Sequence, residues 1–406
     1  MMKRRMDDDI TRKNHESTRT YDRITFAFFS AVILILYGKT LSYGYYMDDF
    51  IMVNIQPQHL IDWFLVGPTG PHVRPIWYLT YYLTNSLFQS ALFDHTVNIL
   101  LFIVSACLAY RLCLIYFNQS VGRSFIATTL WILVPWQAFP VSWISHRHDL
   151  LNYCFGFSSL ILLHRHKYFL SFGLLLLGVF SKVTIFMLPL IHMYKTYKAK
   201  QYKYLLLFCF LFLSIFLLSG YAYYTNMDKL ITAVPADAHI VVKLAKYFIA
   251  YIEGILTQFI PAPFFLNYYH AILYGIAIIG LFLSIKFNWK NYHPESIVIA
   301  LLTIAPSSIC PELRILGFSS LFIIISTVSL TSGLRRKSLF IAFGFFFIAH
   351  CTITAYLTSS HFETSFRNPR SFQTKVNDQF PLTNNYLNNY YAKKIEYLMH
   401  AYRLIY

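Results

Sequence analysis

Long apolar stretches recur along this chain, and short basic clusters separate them. Stretches of this length read as membrane-spanning helices, and the cytoplasmic preference of Lys and Arg orients them. The pattern predicts spans at about 24–41, 93–113, 124–144, 149–164, 204–224, 268–286, 294–309, 313–332 and 338–357. Residues 168–195 form one further apolar stretch with Ser181 and Lys182 at its middle. A single helix there would be about 42 Å long and would bury Lys182 near its centre, so two short tilted spans with Lys182 at the turn cost less. An amphipathic segment near 241–260 suits the membrane surface.

The expected fold class is therefore all-α, a polytopic transmembrane helical bundle of about eleven spans, with its N-terminus inside and its C-terminus outside. Residues 1–23 are polar and form a cytoplasmic tail, 24–357 the transmembrane domain, and 358–406 an outer tail. Residues 42–92 fall outside as one long loop. The long polar leader, with no small-residue cleavage site after the first apolar run, predicts a retained first span rather than a signal peptide.

Composition agrees with that reading. Of 406 residues, 56% are hydrophobic and 13% charged, with a mean hydropathy of +0.47, too little charge to cover a soluble domain. The net charge of +16 comes from Lys and Arg in short loops, a topogenic pattern that argues against nucleic acid as a partner. Most of the six cysteines lie in or beside apolar runs, without metal-ligand spacing, and read as small core residues.

The topology gathers a set of polar residues at the outer face: Asp48, Asp49, Arg74, Arg147, Asp149, Lys182, Glu312 and Arg314. A transporter more often places its charges at the bilayer midplane. Carboxylates act as general bases, and the planar fork of Arg suits a phosphate. A base and phosphate-binding cations at a lipid interface fit group transfer from a lipid phosphate.

The motifs carrying these residues are ordered. "MDDFIMVN" follows the first span, with Asp48, Asp49 and Asn54; Trp63 and "HVRPI", with Arg74, come later in the same loop. "DHTVNILL" opens the second span, with His95 and Asn98 one helical turn apart. "VPWQAFPVSWISHRHDLL" supplies Pro135, Val141, Arg147 and Asp149, "SKV" supplies Ser181 and Lys182, and "PELRILGFSS" supplies Glu312 and Arg314. In this order the chain, over about residues 24–332, resembles the GT-C superfamily of membrane glycosyltransferases. The likeness is to the membrane part of the tetratricopeptide-containing transmembrane O-mannosyltransferases and their bacterial relatives. It departs from the family where Val183 stands in place of the acid of "S-K-E", and where the His, Glu and Gly around the "G-R-x-D" element are missing.

The resemblance implies a sugar transferred, with inversion, from a polyprenyl-phosphate-linked donor to a glycan, lipid or protein acceptor on the periplasmic or lumenal side of the lipid bilayer. It implies Asp48 as the base, with Asp49 orienting the acceptor or binding a metal. Arg74, Arg147, Lys182 and Arg314 would hold the donor phosphate, and Asn54, His95, Asn98, Asp149 and Glu312 would support the site. No cofactor is required by these motifs, although an acid pair could hold a divalent cation. His146 and His148 have the spacing of zinc ligands but lack partners in the sequence.

Structural roles compete for the same residues. The acids could cap or solvate a turn, Arg147 and Asp149 could pair with each other, Lys182 could snorkel, and His95 and Asn98 could only bond between helices. Two other functions remain beside the transferase: a transporter or flippase of a lipid-linked glycan, and a degenerate GT-C-like protein that binds without turnover. The repeat-free length favours the bacterial inner membrane over the endoplasmic reticulum.

Overall fold

The computed structural model describes residues 22–45, 49, 74–88, 90–134, 137–225, 294–304 and 316–331. Among them every regular element is helical and no strand occurs. Helix α1 covers residues 22–37 and runs into a 3-10 turn, Gly38–Ser42. There follow α2 (Pro75–Phe88), α3 (Ala91–Ile115), α4 (Val121–Ile132), α5 (Ala138–Ser142) and a 3-10 turn (Ile144–His146). Next come α6 (Arg147–His164), α7 (Tyr168–Ser181), a 3-10 turn (Val183–Ile185), α8 (Leu188–Lys198) and α9 (Tyr202–Thr225). The last described elements are α10 (Pro294–Ile304) and α11 (Leu316–Thr331).

Two helical stretches, Asp22–Ser42 and Ala91–Ile115, are long and apolar enough to cross a membrane. The apolar stretch 168–195 is broken where Lys182 was expected to break it. Helix α7 ends at Ser181, Lys182 is extended at φ −158° and ψ 133°, and α8 starts six residues later at Leu188. Two expectations need correction. The stretch 124–144 is not one helix, because α4 stops at Ile132 and the chain continues through α5 and a 3-10 turn. The loop 42–92 contains the helix Pro75–Phe88, which Pro75 opens with its fixed φ at the first helical position. The expected spans 268–286 and 338–357, the amphipathic segment 241–260 and the tail 358–406 lie outside the described residues.

Aromatic packing forms the core. Trp131 of α4 is fully buried and meets Phe102 of α3 at 5.4 Å between ring centroids, with Tyr153 and Phe157 of α6 at 5.4 and 5.6 Å. Phe157 in turn stacks on Phe318 of α11 at 4.9 Å. Helix α1 joins through Tyr37 against Phe102 and Phe29 against Tyr110. The outward faces are apolar too: Ile35, Leu100, Phe169, Leu206 and Phe210 are all exposed. Arg147, Asp94, Asp149 and Lys182, by contrast, are buried. Apolar groups outside and paired charges inside suit a helix bundle in an apolar solvent.

The helix ends sort into two sets. Asp22 at the start of α1 bonds Arg111 near the end of α3 at 2.5 Å. Tyr116 after α3 and Lys195 in α8 both bond Glu295 at the start of α10, the latter at 2.7 Å. At the other end of α3, Asp94 and Asn98 meet residues 45 and 140–147. Asp94 and Arg111 are 17 residues apart on one helix, roughly 25 Å at 1.5 Å per residue. Asp22, Arg111, Lys195 and Glu295 thus lie at one end of the bundle, and Asp94, Asn98 and Arg147 at the other.

Gly156 permits the close approach of α6 and α11. A Cβ there would lie 2.6 Å from Phe318 Cε2 and 2.8 Å from Cζ, and Phe318 has little room because it stacks on Phe157. Gly156→Ala is expected to lose about 1–3 kcal/mol through overpacking. A Gly156→Ala/Phe318→Leu double variant should recover part of it, as measured by thermal unfolding in detergent. At Gly178 the nearest atom to a Cβ is the mobile end of Ile185, at 2.8 Å, so Gly178→Ala should cost less.

Candidate functional site

The site grows from the N-terminal turn of α6, where "RHD" places Arg147, His148 and Asp149 in succession. Three adjacent residues on a helix start fan out at about 100° to one another, so each reaches a different neighbour. Arg147 turns toward α2 and α3, Asp149 toward the break after α7, and His148 toward the start of α2.

Arg147 is fully buried. Its Nη2 donates to Asp94 Oδ1 at 2.6 Å and to the Asp94 carbonyl at 3.2 Å. Its Nε donates to Asn98 Oδ1 at 2.9 Å. Its Nη1 donates to Thr84 Oγ1 at 3.2 Å and to the Thr80 carbonyl at 3.5 Å. The guanidinium lies 4.6 Å from the centre of the Tyr81 ring. All five N–H groups therefore have acceptors within the protein, the condition under which a buried guanidinium is tolerated. In this arrangement none is left for the donor phosphate that the resemblance implied for Arg147. Nor does Arg147 pair with Asp149: its carboxylate partner is Asp94.

Asp94 was not among the expected site residues. Its signal was present in "DHTVN", because Asp94 and Asn98, four apart, share one face of α3 and together meet one guanidinium. Thr84 also donates to Asp94 at 2.7 Å, and the Tyr45 hydroxyl reaches Asp94 Oδ2 at 3.4 Å. Burial first, then the Asp94 carboxylate, raises the Tyr45 hydroxyl above its ordinary pKa, so it stays protonated and donates.

The described residues before and at Asp49 are each held by contacts. Gly44 and Tyr43 meet His95, whose Nε2 lies 3.4 Å from the Gly44 carbonyl and whose ring sits edge-on to Tyr43. Asp49 is fully buried, and its Oδ1 accepts the Ser145 backbone N–H at 2.6 Å. Asn98 donates to the carbonyls of Pro140 and Trp143 at 3.3 and 3.4 Å, which fastens the turn before α6 to α3. His95 and Asn98 thus bond between elements, His95 to Gly44 and Asn98 to the turn before α6.

Lys182 is buried and its Nζ donates to Asp149 Oδ1 at 2.5 Å. Asp149 sits in the first turn of α6, where the helix dipole favours an anion. Its Oδ2 lies 3.6 Å from Nδ1 of both His146 and His148. His146 stacks on Trp143 at 4.2 Å and His148 on Trp77 at 5.1 Å. Arg74 lies over the same Trp77, 5.5 Å from its ring centre. Asn152 closes the group, donating to Thr184 Oγ1 at 2.7 Å. His146 and His148, with zinc-ligand spacing in the sequence, face a carboxylate already bonded to an ammonium, and no group of three or more candidate ligands among the described residues could hold a metal ion.

The structure thus joins Asp49, Arg74, His95, Asn98, Arg147, Asp149 and Lys182 at one end of the bundle. Asp48, Asn54, Glu312 and Arg314 lie outside the described residues.

Removing one partner of a buried pair leaves a charge without compensation, at about 3–5 kcal/mol. Asp94→Ala should therefore destabilise the protein by that amount. Asp94→Leu/Arg147→Met, which removes both charges, should lose less than Asp94→Ala alone, as measured by thermal unfolding.

Compared with known proteins, the chain matches no family model, no curated protein and no solved structure.

Proposed function

We propose that this chain is a polytopic membrane glycosyltransferase of GT-C type, which moves a sugar from a polyprenyl-phosphate donor to an acceptor at the outer membrane face. The observation that carries the reading is the convergence of Asp49, Arg74 and the Asp149–Lys182 pair at one end of an apolar helical bundle. The ordered motifs that contain these residues support it from the sequence.

In this mechanism Asp48 removes the proton of the acceptor nucleophile. That atom attacks the anomeric carbon from the face opposite the phosphate, the bond from carbon to phosphate oxygen breaks, and the configuration inverts. The electron pair leaves on the lipid phosphate, where cations offset the growing charge. Arg74, at the mouth of α2, is the cation suited to that contact. Lys182 contributes its charge from beside Asp149. Arg147, with its donors occupied, is a positioning residue that holds α2, α3 and α6 in register. Asp49, bonded to the Ser145 N–H, anchors the segment that carries Asp48.

The test uses purified protein with a short-chain polyprenyl-phosphate sugar and a hydroxyl or amide acceptor. Asp48→Asn should lower turnover by about 10²–10⁴-fold, the usual contribution of a general base, with the thermal midpoint unchanged. Full activity in Asp48→Asn would sink the assignment of the base. Arg74→Ala should raise KM for the donor about tenfold or more, with Arg74→Lys recovering part, since a charge remains but the planar fork is lost. Glycan export that persists in both variants would point instead to a transporter.

A further inference from the structure

The end of the bundle opposite the acid cluster carries a different chemistry. Two turns lie there, one between α6 and α7 and one between α8 and α9. They are more than thirty residues apart in sequence and are brought together by Tyr168 and Tyr204, whose rings pack at 5.2 Å. His166 Nδ1 lies 2.8 Å from the Tyr168 hydroxyl, and Lys203 Nζ lies 6.0 Å from the centre of the Tyr204 ring. His166 and Lys200 both hold a left-handed backbone, φ 59° and 57°, so each helix stops abruptly and the next starts at once.

The two turns present Arg165, Lys167, Lys198, Lys200 and Lys203, all exposed. None of the described carboxylates lies within ion-pair distance of these five. The acids described at this end, Asp22 and Glu295, already pair with Arg111 and Lys195. Next to the cations are the exposed rings of Tyr194, Tyr197 and Tyr202. The exposed residues that follow at the start of α7 and along α9 are apolar: Phe169, Leu170, Leu206 and Phe210. Cations interleaved with tyrosines and bordered by a hydrocarbon-like surface match the headgroup region of a bilayer leaflet where it meets the acyl chains.

We propose that these paired turns form a binding surface for the headgroup of an anionic phospholipid. The cations attract the phosphate, the tyrosines beside them pack against the headgroup, and the apolar faces of α7 and α9 receive the chains. The adjoining apolar faces select a lipid over a soluble phosphate, because a soluble anion would leave them exposed. The inference does not depend on the reaction at the other end of the bundle.

The test places purified protein in nanodiscs of phosphatidylcholine with about one fifth phosphatidylglycerol and counts retained lipids by native mass spectrometry. The wild type should retain phosphatidylglycerol in preference to phosphatidylcholine. Lys198→Ala/Lys200→Ala/Lys203→Ala should weaken that retention about tenfold or more, with helicity by circular dichroism unchanged, since the three side chains are exposed. Lys39→Ala, at the opposite end of α1, should leave retention as in the wild type. Equal retention in the triple variant, or equal loss in Lys39→Ala, would overturn the proposal. Binding of inorganic pyrophosphate in detergent as tight as that of phosphatidylglycerol would reassign the surface to a soluble anion and overturn it as well.

Discussion

An arginine buried in an apolar bundle must be met on every N–H, and much of the polar end of this protein is arranged to do so. Arg147 draws Asp94 and Asn98 from α3, and Thr80 and Thr84 from α2, around one guanidinium. A single unmet donor there would cost more than a hydrogen bond normally contributes. The requirement couples three helices whose other contacts are mostly apolar and discriminate poorly between neighbouring registers. It also passes outward, because Asp94 receives Tyr45 and Asn98 grips the turn before α6.

The second buried pair depends on the first through the covalent chain. Arg147 and Asp149 leave the same helix turn in different directions, so fixing Arg147 against α3 directs Asp149 toward the break at Lys182. That break has a local cause as well: a lysine in the middle of a long apolar stretch is costly inside a continuous helix, and the extended backbone lets its amine meet Asp149. Asp149 lies between an ammonium and two imidazoles, and Arg74 and His148 flank Trp77. Among the described residues the result is a polar end with anions and cations closely matched, in contrast to the opposite end, where cations exceed acids.

Much of this was legible in the sequence, for reasons that can be named. The start of α3, the helix Tyr202–Thr225 and the break at Lys182 follow from hydropathy and from the cost of a buried ammonium, both local properties. The helix Pro75–Phe88 was not anticipated, because its mixture of tyrosines and threonines with apolar residues reads as neither span nor solvated helix. The interruption after Ile132 was missed because an apolar, proline-containing stretch looks the same to hydropathy whether it is one helix or several short pieces.

The sequence by itself determined the helical class, the apolar character and the identity of the polar residues that had to find partners, since each of these depends on residue type and local spacing. Only the tertiary structure decided the pairing. Arg147 chose Asp94, 53 positions away, over Asp149, two positions away, because side chains two apart on a helix point to different sides. The tertiary structure likewise brought Tyr168 to Tyr204, and with them two basic turns into one surface. Residue spacing sets which face a group occupies; which other face it meets depends on how the helices pack.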